Sequence, residues 1–112
     1  MKTYGHFIHG REIPAENGET FPSYAPMTGE ILGHAARGTE ADVEAAVTSA
    51  RKGYEHWSSL PPYDREKILL KCADHVEANY DRLLNLLIDE SGSSIIKAKY
   101  EVLYTASVLR TA

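Results

Sequence analysis

Cysteine is almost absent from this sequence, since Cys72 is the only one among 112 residues. One thiol cannot form a disulfide within its own chain, which favours a reducing compartment. Long apolar runs are missing as well, because the longest has three residues, as in Ile68-Leu69-Leu70. A membrane-spanning helix needs about 20 apolar residues, and the first residues lack the apolar core of a signal peptide. We therefore expect a cytoplasmic protein.

Basic residues are in the minority. Twelve Lys and Arg against sixteen Asp and Glu give a formal net charge of -4, and no basic run exceeds two residues. Nucleic acids and anionic membrane surfaces attract a basic face, so a helical nucleic-acid binder is disfavoured and no membrane partner is expected. The 43% hydrophobic and 25% charged residues are ordinary for a soluble globular protein, and the length suits one domain with a core.

Glycine and proline divide residues 1–38 into short runs of strand character. We predict three strands, over residues 6–13, 20–24 and 30–37. Asn17-Gly18 indicates a turn after the first strand, and residues 26–29 supply the next turn through Pro26 and Gly29. Pro22 lacks a backbone N–H, which makes the second strand an edge strand or a bulged one. We therefore expect these strands to form a small, mostly antiparallel sheet.

Near residue 38 the hydrophobic period changes from two to about 3.6, so residues 39–112 are predicted to be helical. Thr39-Glu40-Ala41-Asp42 has the pattern of a capping box, in which the Thr39 hydroxyl accepts from the Asp42 N–H and the carboxylate reaches back. The apolar stripe of this first helix comprises Val43, Ala46, Val47, Ala50, Tyr54 and Trp57.

Pro61-Pro62 ends the first helix, and Pro62 can open the next. The following pattern runs from about Tyr63 to Asp89, as one rod or as two helices interrupted at residues 79–81, where Asn disfavours a helix interior. Its shared apolar face comprises Leu69, Cys72, Ala73, Val76, Tyr80, Leu83, Leu84 and Leu87.

A last helix is predicted after Gly92, which suits a left-handed C-cap. Ser93 or Ser94 can cap it. Its apolar stripe comprises Ile95, Ala98, Val102, Ala106 and Leu109, and no partner for that stripe is evident in the sequence. The chain is therefore expected to be an α+β unit with short strands followed by three or four amphipathic helices.

Side chains that carry chemistry are scattered along the sequence. Cys72 lies on an apolar helical stripe, so a buried structural cysteine is expected instead of a nucleophile. The histidines lack the clustering of zinc ligands; they are His6, His9, His34, His56 and His75.

Other motifs of enzymes are not found. Four helical carboxylates indicate a solvated surface rather than an acid–base pair; they are Glu77, Asp81, Asp89 and Glu90. Residues 33–38 lack the glycine spacing of a phosphate loop, and Ser58, Ser59, Ser93 and Ser94 lie at helix boundaries, as capping serines do. No catalytic, cofactor-binding or metal-ligating residue is predicted.

Five segments, in order, resemble the N-terminal part of the NAD(P)-dependent aldehyde dehydrogenase superfamily. The first two, "FIHGREI" (7–13) and "TFPSYAPMTGEILG" (20–33), are similar to the family's "FINGEW" and "TF-x-V-x-NPATGEVIG" segments. The others are similar to its helices: "TEADVEAAVTSARKGYEHWSSL" (39–60), "DREKILLKCADHVEANYDRLLNLLIDESG" (64–92) and "KAKYEVLYTASVLRTA" (97–112). "SGSSIIKAKYEV" resembles the branch that acts on vanillin, benzaldehyde or salicylaldehyde.

The resemblance implies a parent enzyme that oxidises an aldehyde to a carboxylic acid with NAD or NADP. In such an enzyme a cysteine thiolate attacks the aldehyde, hydride passes to the nicotinamide, and water cleaves the thioester. The family's nucleophilic Cys, general-base Glu, oxyanion-hole Asn and nucleotide loop lie beyond the matched segment, and Cys72 does not match the catalytic one. We therefore expect a truncated, inactive scaffold that binds no cofactor.

The resemblance also implies roles for the two parts of the chain. Residues 1–38 would belong to the oligomerisation sheet, and residues 39–112 would pack on the nucleotide-binding domain, so homo-oligomers and the missing C-terminal portion are the expected partners. Tyr24 and Glu101 are the nearest candidates for a structural monovalent-cation site known in some members. His9 and Ala25 replace the usual asparagines beside turns. The alternative is a stand-alone, non-catalytic interaction module.

Overall fold

In a computed structural model, which describes residues 1–112, five short strands precede four helices. The strands are β1 (Thr3–Tyr4), β2 (His6–Ile8), β3 (Arg11–Ile13), β4 (Thr20–Tyr24) and β5 (Ile31–Ala36). The helices are α1 (Glu40–Ser59), α2 (Pro62–Ala78), α3 (Tyr80–Ser91) and α4 (Ile95–Thr111). The chain divides into two compact units, Met1–Ser59 and Leu60–Ala112. Strand therefore gives way to helix near residue 38, as predicted, while the boundary between the units lies after α1.

The first unit contains a three-stranded sheet in the order β1-β5-β4. β4 pairs antiparallel with β5, with Phe21 opposite Ala35, and the register shifts between Ser23 and Tyr24. β4 is thus an edge strand, which confirms the edge interpretation of Pro22, while the register shift leaves Leu32 of β5, and no residue of β4, without a partner. β1 was not predicted. It runs parallel to β5, so the sheet is mixed.

The single strand predicted over residues 6–13 is wrong, because this segment is a hairpin of β2 and β3. The two strands pair antiparallel, with His6 opposite Ile13, and form a sheet of their own. The loop is His9-Gly10, and both residues have positive φ, 55° and 72°. Two positive-φ residues are typical of the two-residue turn whose twist matches that of the strands. Histidine is among the few non-glycine residues that enter this region, and so the turn signal is weak in the sequence.

Both predicted turns between the longer strands are present. The N–H of Gly18 donates to the Ala15 carbonyl at 2.9 Å, and the N–H of Glu19 donates to the Asn17 side chain at 2.9 Å. In the next turn, the N–H of Gly29 donates to the Ala25 carbonyl at 2.8 Å.

The apolar stripe of α1 is left uncovered within the first unit. Asp42 is the only buried residue of this helix, whereas Val43 is 59% exposed and Tyr54 is 70% exposed. A helix with one apolar face normally buries that face. The sheets of this unit do not supply a cover for it.

The second unit follows the local signals in the sequence closely. Pro62 occupies the first turn of α2, and Asn79 separates α2 from α3, so the interrupted pattern is two helices. Gly92 closes α3 in the left-handed conformation, with φ 63°. Ser94 caps α4, and its hydroxyl accepts from the N–H of Lys97 at 3.3 Å.

Small residues form the core of the second unit. Ala73 of α2 and Ala98 of α4 are fully buried, and Leu84, Val102 and Ala106 are buried beside them. Alanines at the contact allow the axes of α2 and α4 to approach closely. The stripe of α4 therefore has partners within its own unit, and the expectation that this stripe has none is wrong.

Candidate functional site

Cys72 is exposed, and the expectation of a buried cysteine is wrong. The neighbouring Ala73 takes the buried position, since a rotation of about 100° per residue turns Cys72 away from the face centred there. No hydrogen bond joins the thiol to a base. The thiol thus lacks the activating partner that a nucleophilic cysteine needs.

The histidines and carboxylates do not assemble into a metal-binding cluster. No group of three or more His, Cys, Asp or Glu side chains could hold an ion. Tyr24 is 55% exposed on β4, in the first unit. Glu101 lies on α4, in the second unit, where its carboxylate pairs with Lys97 at 3.4 Å.

Asp42 is the centre of a polar cluster at the start of α1. Its N–H donates to the Thr39 hydroxyl at 3.2 Å, and its Oδ2 accepts from the Thr39 N–H at 2.9 Å, which confirms the predicted capping box. The same carboxylate accepts from the N–H of Glu16 at 3.1 Å. His6 Nε2 lies 3.5 Å from Oδ2. One carboxylate thereby connects α1 with two segments that precede it in the chain.

These contacts keep Asp42 ionised. The N–H of Thr39 is the largest cause that lowers the pKa of Asp42 below its ordinary value of 3.8, and the Glu16 N–H, the Thr39 hydroxyl and the charge of His6 act in the same direction. Partial burial opposes the shift, because it disfavours the charged form. Sequence reasoning found Thr39 from its three-residue spacing, but it missed His6 and Glu16, which are 36 and 26 positions away and leave no local pattern.

A second polar contact joins α4 to α2. The Arg110 guanidinium donates to Asp74 at 3.0 Å and lies 2.9 Å from the Glu77 carboxylate. These two hydrogen bonds, Glu77 first, raise the pKa of Arg110 above its ordinary value. All three side chains are partly solvent-exposed, and exposed ion pairs contribute little to stability.

The second unit has an apolar cavity of about 770 Å3 that opens beside α3 and α4. Leu83, Leu87 and Val102 are among the apolar residues that line it, and Glu90 and Glu101 line it as well. Its volume is within the range of ligand pockets. The lining, however, consists mainly of the apolar faces of helices. Such a lining is expected for a packing surface that lacks its partner.

A second apolar surface lies on α4, on the side away from the buried stripe. Its members are between 44% and 79% exposed, and they are Ile96, Tyr100, Leu103, Tyr104 and Val108. Tyr100 and Tyr104 stack with their ring centroids 5.3 Å apart. A helix that is apolar on both sides is normally buried all round. We call this set the outer face of α4.

No helix of the chain has the length and apolar content to cross a membrane.

Comparison with known proteins identifies a family. Residues 13–112 match the sequence profile of the aldehyde dehydrogenase family. The chain is 39% identical over 87 residues to a mitochondrial benzaldehyde dehydrogenase of Antirrhinum majus, a match that covers 76% of this chain and 16% of that protein.

Solved structures give the same result for the fold. HpcC from Thermus thermophilus superposes with a TM-score of 0.94 at 34% identity, over 98% of this chain and 21% of that one. A salicylaldehyde dehydrogenase from Pseudomonas putida G7, solved with salicylaldehyde, superposes with a TM-score of 0.93 at 26% identity, over 99% and 23%. The chain thus spans about a fifth of the length of these proteins.

Proposed function

The chain belongs to the aldehyde dehydrogenase family, and from this premise we propose that it is the N-terminal part of an NAD(P)-dependent enzyme that oxidises an aldehyde to a carboxylic acid. The match over nearly the whole chain supports the assignment. The nicotinamide cofactor takes up hydride in such an enzyme. We assign no residue of these 112 to holding it, because they contain neither a glycine-rich dinucleotide loop nor a thiol with an activating base.

An aromatic aldehyde is the proposed substrate of the parent enzyme. The segment "SGSSIIKAKYEV" carries the resemblance to that branch. The similarity to a benzaldehyde dehydrogenase and to a salicylaldehyde dehydrogenase supports it further.

We propose that this chain has a structural role in the enzyme. The observation that supports this role is the uncovered apolar surface of the chain. The α1 stripe, the outer face of α4 and the cavity bordered by α3 and α4 are all apolar and open. Monomers seldom expose contiguous apolar patches beyond a few hundred Å2. We propose that residues 39–112 pack on the nucleotide-binding domain and that residues 1–38 join an oligomerisation sheet in a homo-oligomer.

The proposal for the cellular location rests on the single cysteine. Cys72 is exposed and has no disulfide partner in the chain, which suits a reducing compartment. The cytoplasm is the compartment that we propose.

A stand-alone interaction module is the second candidate, and the same exposed apolar surfaces favour it. The two proposals differ in the DNA that follows codon 112. A reading frame that continues into a glycine-rich nucleotide loop and a cysteine motif supports the enzyme, whereas a natural stop codon supports the module. If the frame continues, the longer protein should reduce NAD or NADP with benzaldehyde or salicylaldehyde. A longer protein that oxidises neither, but does oxidise aliphatic aldehydes, would refute only the aromatic assignment.

A further inference from the structure

The apolar stripe of α1 is part of a larger open apolar surface on the first unit. Phe7 of β2 and Val43 of α1 line the same shallow cavity of about 250 Å3, and they are 77% and 59% exposed. Further along α1, Val47 and Tyr54 line a second cavity of about 480 Å3. An extended apolar surface on a single chain usually marks an interface.

Two charged residues border this surface without a partner in their own chain. Arg51 and Glu55 line the second cavity together with Val47 and Tyr54, and both residues are exposed. They are four positions apart and are therefore neighbours on one side of the helix, yet neither forms an ion pair within the chain. The helix thus presents one positive and one negative group next to its apolar stripe.

This order of charges is complementary to itself when two copies of α1 run antiparallel. In a twofold-symmetric interface, residue i of one copy meets residue j of the other, and j meets i. A twofold axis at the level of Gly53 sets Arg51, two positions before it, opposite Glu55 of the second copy, two positions after it. The symmetry repeats this contact, so two ion pairs border the apolar contact between the helices.

The same alignment covers the apolar stripe. With a rise of about 1.5 Å per residue, Ala50 of one copy falls between the levels of Tyr54 and Trp57 of the other. Ala50 and Tyr54 are exposed and Trp57 is half-buried, so all three have surface to lose in the contact. A small side chain that faces two large ones lets the two surfaces interdigitate.

We propose that the 112-residue chain forms a symmetric dimer through antiparallel contact of two α1 helices, with Arg51 of each copy paired to Glu55 of the other. This contact uses a different surface from the outer face of α4, so a chain with both surfaces free associates beyond the dimer. The proposal concerns the chain on its own. It does not rest on the function proposed for a longer protein, in which α1 would pack on another domain.

Sedimentation velocity over a concentration series tests the pairing. All chains carry Leu103→Glu, which weakens association through the outer face of α4, and a reductant is present because Cys72 is exposed. Arg51→Glu or Glu55→Arg alone should raise the dimer dissociation constant about fivefold to thirtyfold, since each replaces two attractive pairs by two repulsive ones. The double variant Arg51→Glu/Glu55→Arg keeps the pairs in reversed order and should restore the constant to within about threefold.

A mixture of the two single variants gives the most specific result. One copy then carries two acidic residues at these positions and the other carries two arginines, so the mixed dimer should form with nearly the native affinity. Lys52→Glu changes the net charge as Arg51→Glu does but lies on the opposite side of α1, and it should have little effect. The proposal is overturned if Arg51→Glu dimerises like Lys52→Glu, if the mixture associates as weakly as its components, or if the Leu103→Glu chain is a monomer.

Discussion

Thr39 and Asp42 bond to each other reciprocally at the start of α1. The N–H of Asp42 donates to the Thr39 hydroxyl, and the N–H of Thr39 donates to the Asp42 carboxylate, at 3.2 and 2.9 Å. Two backbone donors of the first turn are satisfied in this way. The beginning of α1 is therefore fixed by side chains three residues apart.

The Thr39 side chain should contribute measurably to stability. Replacing a capping Thr by Ala typically costs about 0.5–2 kcal/mol, so Thr39→Ala should lower the free energy of unfolding by that amount. Thr48→Ala, at an exposed position inside the same helix, is the matched control and should cost nothing. Urea denaturation followed by circular dichroism distinguishes them, and equal stability of both variants would contradict the capping role.

Acid should weaken the first unit through Asp42. The pKa of this carboxyl is lower in the folded chain than its ordinary value of 3.8, so the folded state binds the proton less tightly than the unfolded state. Its stabilising effect is complete above that ordinary value and is lost as pH falls through the lower, folded value. Urea midpoints of the native chain and Asp42→Asn should thus differ at pH 6 and approach each other only as pH falls from the ordinary value of 3.8 through the lower, folded value, whereas Asp89→Asn should follow the native chain throughout. If the difference between these two urea midpoints stays constant at low pH, the charge of Asp42 does not contribute to stability.

Two glycines should respond in opposite ways to the same substitution. A Cβ at Gly5 would clash with the backbone carbonyl of Ile13, whereas at Gly53, within α1, it would meet nothing. We expect Gly5→Ala to lose about 1–3 kcal/mol, as overpacking does. Gly53→Ala should gain about 0.5–1 kcal/mol, since glycine is a poor helix former. Chemical denaturation measures both, and a stable Gly5→Ala chain would mean that the backbone at Gly5 and β3 can separate without cost.

The exposed apolar surfaces predict self-association of the chain on its own. Burial of a large aliphatic side chain stabilises a protein by roughly 1.5–3 kcal/mol. The five large apolar residues on the outer face of α4 are exposed and do not contribute this free energy. Sedimentation velocity at micromolar concentrations should show a concentration-dependent increase in mass. Leu103→Glu should weaken it, and the neighbouring Lys99→Glu should do so much less. A clean monomer at every concentration would contradict the prediction.

The sequence predicted best what depends on a few neighbouring residues. The capping box, the first turn of α2 at Pro62, the break at Asn79 and the end of α3 at Gly92 all rest on signals within one helical turn. Where the outcome depends on distant residues, prediction failed. The parallel pairing of β1 requires β5, about 30 positions away, and the exposure of Cys72 depends on which side of α2 meets α4 rather than on composition.

The same distinction between local signals and distant contacts applies to the candidate site. Thr39 and Asp42 were predictable because their spacing is local. The contributions of His6 and Glu16 were not, because the fold alone brings them to Asp42. The stacked pair of Tyr100 and Tyr104 has a spacing of four that is visible in the sequence, but its exposure depends on which face of α4 the other helices take.

A nicotinamide-reduction assay tests the central claim most directly: this chain is a structural part of an aldehyde dehydrogenase and carries no catalysis of its own. Purified chain is incubated with benzaldehyde, salicylaldehyde and vanillin, each with NAD and with NADP, and a complete aldehyde dehydrogenase serves as the assay control. The account predicts the same background rate for the native chain and for Cys72→Ala. Turnover that rises with the amount of native chain and vanishes in Cys72→Ala would contradict it.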